Sequence, residues 1–506
     1  MITTNPRTGV CVDTEVEETT TAEVDALVHA ADQVAAALES LGRDGRARLL
    51  DAIADSLEAD REGLVRTADD ETGLGATRLG GELTRSIVQF RLFADAIREG
   101  SYLEAMIDHA ADTPIGPAPD LRRMLLPIGP VAIFGASNFP FAFSVLGGDT
   151  ASALAAGCPV LLKAHDSHPL TSLRSFEAMA TALLAEEAPD GTIGMIFGQD
   201  AAGRLVAHPE VKAVSFTGSL TTGRLLLEIV NGREEPIPFY GELSSLNPLV
   251  VTAHAARARA AEIGKGLFTS FTGSAGQLCT KPGVAFVPTG PEGDVLIEVM
   301  RDLTHRAGGH VMLNQRIAQA FETIAGRLVA NGAVLEARGG TGPAAGAFVA
   351  APTLLTIPAR ELSGDLTEEC FGPLVVIARY DDVDELKASF HAIPPSLTAT
   401  IHAEDDEAQE VAGLTRLLLP MVGRIVYNGY PTGVRVSWAQ HHGGPWPSTN
   451  SQHTSVGVTA IRRFLRPFAW QNAPSAMLPD ELHDDYAEIP RRVDGRLILP
   501  ADDSSQ

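Results

Sequence analysis

The 506-residue chain is 45% apolar and 20% charged, the make-up of ordinary globular domains, and its length leaves room for two to four of them. Its 39 basic and 64 acidic residues sum to −25, which argues against nucleic acid and an anionic membrane surface as partners. The four cysteines, Cys11, Cys158, Cys279 and Cys370, are widely spaced with no CxxC, so neither a disulfide framework nor a metal site is expected, and a reducing cytoplasm fits best.

The N-terminus has no apolar run behind a basic start, so no signal peptide is expected. Thr20-Thr-Ala-Glu23 reads as a capping box, followed by Val24, Leu27, Val28, Ala31 and Val34 at helical spacing. Amphipathic patterns recur at 46–57 and 84–97, making the first hundred residues mainly helical. Pro114, Pro117 and Pro119 mark 101–122 as a connector or an extended arm. The stretch from Leu125 to Gly148 is uncharged and long enough to cross a bilayer. Pro127, Gly129, Pro130, Gly135 and Pro140 would break such a helix repeatedly, so it reads as a strand, a loop and a helix start.

From there the pattern alternates. Val131-Ala-Ile-Phe134, Pro159-Val-Leu-Leu-Lys163, Thr192-Ile-Gly-Met-Ile-Phe197 and Ala213-Val-Ser-Phe216 read as strands, with helices over 150–156 and 170–184 between them. Strand–helix alternation predicts a parallel sheet covered on both faces. A second series over roughly 249–436 predicts a second α/β domain. No low-complexity linker and no short internal repeat separates the two.

Several loops carry candidate chemistry. Cys279 lies in Phe271-Thr-Gly-Ser-Ala-Gly-Gln-Leu-Cys-Thr-Lys-Pro-Gly283, among small and turn-forming residues that let a substrate reach the sulfur; the loop alone divides evenly between a nucleophile and an inert thiol. Asn138, in Phe134-Gly-Ala-Ser-Asn-Phe-Pro140, is an oxyanion donor or a turn residue before proline. Lys163 ends a strand, where it either meets a ribose or phosphate or is merely solvated. His165 and His168 are too close in sequence for a helix-face metal pair and read as loop residues. Phe216-Thr-Gly-Ser-Leu-Thr-Thr-Gly-Arg224 enters a helix through Gly218, Ser219 and Gly223, a pyrophosphate-compatible turn that matches neither common nucleotide fingerprint. Glu242, in Tyr240-Gly-Glu-Leu-Ser-Ser-Leu-Asn-Pro248, is a surface glutamate or a general base with a pKa raised by partial burial. Glu369-Cys-Phe-Gly-Pro373 adds an acid beside Phe371.

Taken together, Asn138, Lys163, Gly218/Gly223, Glu242, Cys279 and Glu369-x-Phe-Gly-Pro373 follow the order and approximate spacing of the aldehyde dehydrogenase superfamily, which the chain resembles through almost its whole length. Arg122-Arg-Met-Leu-Leu-Pro-Ile-Gly-Pro-Val131, Lys163-Ala-His165, Asn428-Gly-Tyr-Pro-Thr-Gly-Val-Arg435 and His442-Gly-Gly-Pro-Trp-Pro447 further resemble the α-ketoglutarate semialdehyde (2,5-dioxovalerate) dehydrogenases. Ser137 in place of an aromatic, and Ser244-Ser245 in place of two glycines, depart from the wider pattern but suit the narrower group.

The resemblance implies an α/β aldehyde dehydrogenase-like fold. A Rossmann-like cofactor domain would take 1–104 and 127–243, and a catalytic domain 244–437. The segment 438–469 would return to the cofactor domain, and an oligomerisation arm and tail, 105–126 and 470–506, would pair across a subunit interface of a homodimer or homotetramer. It also implies that Cys279 attacks an aldehyde, that Asn138 and the Cys279 backbone N–H hold the oxyanion, and that Glu242 activates water. Lys163, Gly218, Ser219, Gly223, Glu369 and Phe371 would hold NADP or NAD, and Asp166 bears on that choice because an acid there repels a 2′-phosphate. A distal substrate carboxylate needs a cation, for which Arg435 and Arg85 are candidates unless they form structural ion pairs. Phe141 and Trp446 line the tunnel or pack in the core. Rival readings are another semialdehyde or aliphatic aldehyde as substrate, a catalytically silent nucleotide-binding protein, a cofactor-free thioesterase, and an acylating enzyme using coenzyme A.

Overall fold

The computed structural model describes residues 1–342 and 346–500. Its first parallel sheet has the strand order Phe239–Glu242, Ala213–Thr217, Val131–Phe134, Val160–Lys163, Ile193–Ile196. Alternate residues of these strands enter different cores. Val131, Ile133, Val160 and Leu162 pack under the helices Gly42–Ala59, Ala76–Glu99 and Gly148–Ala156. Ala132, Phe134, Leu161 and Val214 face Val24, Val28 and Ala31 of the helix Thr21–Ser40. Burial on both faces is why the strands read as unbroken apolar runs, and each large aliphatic side chain so buried contributes roughly 1.5–3 kcal/mol.

The expected capping box is present: Glu23 N–H donates to Thr20 Oγ1 at 3.3 Å and Thr20 N–H donates to Glu23 Oε2 at 2.7 Å. The mainly helical start is preceded by a hairpin, Ile2–Asn5 with Val10–Asp13. Gly9 makes its turn at φ +70°, and Val10–Asp13 is exposed throughout, so this hairpin carries no apolar alternation to read.

Strand order places the topological switch between Val131–Phe134, which leads to the strands on one side, and Ala213–Thr217, which begins the other. A crevice at the carboxyl ends of such strands is where this architecture binds ligands. Past Glu242 the chain crosses directly into a seven-stranded sheet: Val334–Arg338, Thr353–Pro358, Leu374–Tyr380, Val284–Pro288, Leu249–Val251, Ser396–His402, Val422–Tyr427. All its pairs are parallel except the first, which is antiparallel and bulged between Leu335 and Ala337.

Residues 101–122, expected as a connector or arm, contribute strands to a third sheet. Its order is Leu465–Gln471, Leu121–Pro127, Met106–Asp108, Arg491–Val493, Arg496–Ile498. Arm and tail therefore pair with each other inside one chain. Residues 501–506 of the expected tail lie outside the described residues. Arg463, at the end of the 3₁₀ segment Val458–Phe464, places Nη2 2.6 Å from Asp149 Oδ1, tying the C-terminal segment to the first domain. Among the described residues no helix is long and apolar enough to cross a membrane, and the stretch 125–148 is strand, loop and helix start as its prolines require.

Candidate active site

The strand ends assemble the first half of the site. Glu242 is the last residue of its strand and only 4% exposed. The C-terminal segment runs alongside it: Leu243 N–H donates to Ser448 O at 2.8 Å, and Gly241 N–H donates to Asn450 Oδ1 at 2.7 Å. That segment delivers two partners to the carboxylate. His442 Nε2 donates to Glu242 Oε1 at 3.0 Å, and Ser455 Oγ donates to Oε2 at 2.8 Å.

The second half comes from the catalytic domain. After the helix Ala253–Thr272 the chain turns through Ser274, Ala275 and Gly276 at φ 51°, 57° and 66°. Two successive non-glycine residues in the left-handed region are strained, and the loop is held against its neighbours. A Cβ on Gly276 would lie 2.2 Å from the Gly372 carbonyl carbon, so this loop packs closely on the one containing Glu369 and Phe371. Lys281 Nζ donates to Cys370 O and Leu374 O, both at 2.9 Å, and Asn247 Nδ2 donates to Cys279 O at 2.8 Å. So fixed, Cys279 Sγ lies 3.6 Å from His442 Nε2. Ligand atoms of Glu242, Cys279 and His442 all fall within 4.8 Å of one another, a grouping that could also accept a metal ion; the sequence offered no sign of it. Asn138, 8% exposed, donates its amide to Gln277 O at 3.0 Å, two residues before Cys279.

Electrostatics set these groups apart. Burial pushes the Cys279 thiol well above its ordinary range, the Glu242 carboxylate adds to the rise, and the positive Arg85 offsets part of it. Burial alone would also raise Glu242, but His442, Ser455 and Cys279 outweigh it and hold the carboxyl down at about 2. This corrects the expectation of a raised pKa: local sequence shows burial but not the donors that arrive from two hundred residues away.

Most cofactor candidates lie at or just after the carboxyl ends of the first sheet's strands, whereas Glu369 and Phe371 precede Leu374–Tyr380 of the second sheet. Lys163 Nζ is 2.6 Å from Asp166 Oδ1, with the lysine buried and the aspartate open to solvent. Ser219 caps the helix Leu220–Asn231 by accepting from Thr222 N–H at 3.3 Å. Gly218 and Gly223 keep that turn tight, since added Cβ atoms would come within 2.6 Å of the Phe216 ring and 2.2 Å of Leu243. The free amides of this helix start and the buried lysine suit a pyrophosphate and a ribose. Glu369 accepts from Ser244 Oγ at 2.6 Å and Ser245 N–H at 3.1 Å, so the unusual serine pair is the seat of this acid. Phe371 is half-buried beside it.

The four substrate candidates separate. Arg85 faces the Cys279 and Glu242 charges. Arg435 is exposed and belongs to no ion pair among the described residues. Phe141 takes the packing alternative: it is fully buried in the helical core, its backbone N–H bound to Glu82 Oε1 at 2.8 Å. Trp446 stacks under Arg224 at 5.5 Å, placing it beside the glycine-rich turn. His168, expected in a loop, is buried, with Nε2 2.9 Å from Ala136 O beneath the Asn138 turn.

A model of the aldehyde dehydrogenase family matches residues 1–466. The chain belongs to that family. Over 468 residues it is 43% identical to alpha-ketoglutaric semialdehyde dehydrogenase 2 of Azospirillum brasilense, covering 89% of this chain and 87% of that one. Over 481 residues it is 39% identical to the alpha-ketoglutaric semialdehyde dehydrogenase of Acinetobacter baylyi, covering 94% and 91%. The solved structure of PnpE in complex with nicotinamide adenine dinucleotide superposes with a TM-score of 0.80 at 22% identity, over 96% of each chain. The protein is thus an NAD(P)-dependent aldehyde dehydrogenase with the superfamily's fold, as its motif order implies.

Proposed function

We propose that this enzyme oxidises α-ketoglutaric semialdehyde to α-ketoglutarate through a covalent Cys279 intermediate. The observation that carries the chemistry is the meeting of Cys279, Glu242 and His442 at the mouth of the cofactor crevice. The two curated relatives named for this substrate support its identity.

In this reading Cys279 Sγ attacks the aldehyde carbon as its proton passes toward Glu242. The oxyanion of the thiohemiacetal is met by Asn138 Nδ2 and the Cys279 backbone N–H, donors placed before charge develops. Lys163, Ser219 and the Gly218–Gly223 turn would hold the dinucleotide, together with Glu369 and Phe371. When bound, NAD(P)+ supplies the hydride acceptor that turns the thiohemiacetal into a thioester. Glu242 then takes a proton from the water that releases the acid. A carboxylate at about 2 is a weak base. Its strength would rise if the His442 bond opened, because the largest influence opposing burial would be lost and only Ser455 and Cys279 would remain.

Four unpaired cysteines support a reducing cytoplasm. The exposed Leu497, Ile498 and Phe468 on the outer strands of the third sheet support a homodimer or homotetramer, to be read from the mass in solution. The substrate test follows NAD(P)H formation with α-ketoglutaric semialdehyde and an uncharged aliphatic aldehyde, using each dinucleotide. A clear preference for the semialdehyde is expected. Equal rates, or preference for the aliphatic aldehyde, would remove the substrate reading and leave the enzyme class standing.

A further inference from the structure

The helix Ala76–Glu99 turns one charged stripe toward the site: Arg78, Glu82 and Arg85, at i, i+4 and i+7. The first two have structural work. Arg78 donates through Nη2 to Asn138 O and through Nε to Ser274 Oγ, both at 2.7 Å, and lies 3.2 Å from Glu82. Glu82 accepts from the backbone N–H of Phe141 and Ala142 at 2.8 and 3.0 Å. Together they brace the Asn138 turn against the Cys279 loop.

Arg85 is different. Its Nε and Nη2 are buried and have no hydrogen-bond partner among the described residues. Its guanidinium carbon sits 5.2 Å from the centre of the Phe143 ring, and that ring lies 6.1 Å from His442. The acids nearest in charge, Glu82 and Glu242, are already bound elsewhere. A buried cation with unmet donors is costly unless something completes it. Nε and Nη2 form one edge of the guanidinium, the pair of parallel donors that matches a carboxylate, while the aromatic contact fixes the plane. Arg424 also reaches Cys279 by its charge, but its Nη1 and Nη2 are bound to Gly433 O and Pro431 O, so it offers no such edge.

We propose that the Nε–Nη2 edge of Arg85 binds the carboxylate of the aldehyde substrate and so selects anionic aldehydes. This rests on the substrate reading above and names the residue that enforces it. Arg85 acts on substrate binding; its charge also favours the Cys279 thiolate, so a variant would slow every aldehyde somewhat. The discriminating quantity is therefore a ratio.

The test measures kcat/KM for α-ketoglutaric semialdehyde and for pentanal in the wild type, Arg85→Met and Arg85→Lys. The semialdehyde-to-pentanal ratio should fall about a hundredfold in R85M, the loss expected when one partner of a desolvated charge pair is removed. R85K should recover part of it. An equal loss on both substrates, or an unchanged ratio, overturns the role of Arg85 while leaving the substrate reading intact. A wild type that does not favour the semialdehyde sinks the substrate reading itself. Glutarate supplies a second readout that needs no turnover: it should protect Cys279 from alkylation in the wild type and not in R85M, and equal protection in both would count against the proposal.

Discussion

Cys158 and Cys279 begin from the same physics and end in different chemistry. Burial raises both thiols, Cys158 to about 11 and Cys279 well above its ordinary range. Around Cys158 is mostly core, with Sγ donating to Phe464 O at 3.3 Å, Val160, Leu162 and Ile461 in the same cluster, and Arg46 already bound to Ala155 O. Around Cys279 stand a carboxylate, an imidazole and a guanidinium. A low resting pKa is therefore not what distinguishes the proposed nucleophile. Its distinction is a proton acceptor within reach and a carbonyl site beside it.

The comparison is broken most severely by Cys279→Ala. Aldehyde-dependent NAD(P)H formation should fall by about 10⁴-fold or more. Cys158→Ala should keep turnover and instead lower the melting temperature, by an amount corresponding to about 1 kcal/mol. A Cys279→Ala enzyme retaining a tenth of its activity would refute covalent catalysis at this residue. Glu242→Gln should slow both halves of the reaction, weakening the NAD(P)H burst because Cys279 loses its proton acceptor and making the steady state about 10³-fold slower. A full-rate burst ahead of a slow steady state would confine Glu242 to the activation of water.

His442 tests what makes Glu242 a base. In the wild type the carboxyl lies at about 2, because donors outweigh burial. His442→Phe removes the first-named of those donors and leaves the burial, so the pKa must rise. A carboxylate with a raised pKa is protonated as pH falls through that higher value. The acid limb of kcat/KM should thus move upward by at least one pH unit, about 1.4 kcal/mol of lost differential interaction. The same change weakens acid stability in the opposite sense: a depressed Glu242 stabilises the fold above the unfolded carboxylate range and loses that contribution toward about 2, and the variant lacks it. An unmoved acid limb would assign His442 to packing alone.

His442 stands in a motif that carries the resemblance, but nothing local in the sequence assigns it a role at the site, for a physical reason. It lies 163 residues from Cys279 and 200 from Glu242. Its neighbours Gly443, Gly444 and Pro445 look like any turn. Only the return of 448–450 along the Glu242 strand brings it inward. By contrast, Val131-Ala-Ile-Phe134 and Val160-Leu-Leu-Lys163 were legible because burial on both faces leaves a local signature. Cys279, Glu242 and Asn138 were legible by their order along the chain. Phe141 divides between tunnel and core in the sequence because an aromatic residue after Asn-Phe-Pro says nothing about which side of a turn it occupies.

Cofactor choice should respond more modestly. The Asp166 carboxylate is open to solvent and bound to Lys163. Asp166→Ser removes a negative charge from the expected ribose site and should raise the kcat/KM ratio for NADP over NAD about tenfold. An unchanged ratio would place the 2′-position away from Asp166.

The smallest effect belongs to Ser244, and it sharpens the comparison between a group that reacts and one that positions. Glu369 is pushed up by burial and pulled back by Ser244, Lys281 and Ser245. Ser244→Gly deletes one bond to this carboxylate, at 2.6 Å, and leaves the Ser245 backbone donor at 3.1 Å. Losing one hydrogen bond to a charged group, with another retained, costs about 1 kcal/mol in the placement of Glu369, or roughly fivefold. The change should appear in the KM for the dinucleotide, with the Cys279 alkylation rate unchanged, because Ser244 touches Glu369, the acid proposed to bind the dinucleotide, and not the thiol. A matching fall in alkylation would mean that the Glu369 and Cys279 loops, packed at Gly276 and Gly372, move as one body.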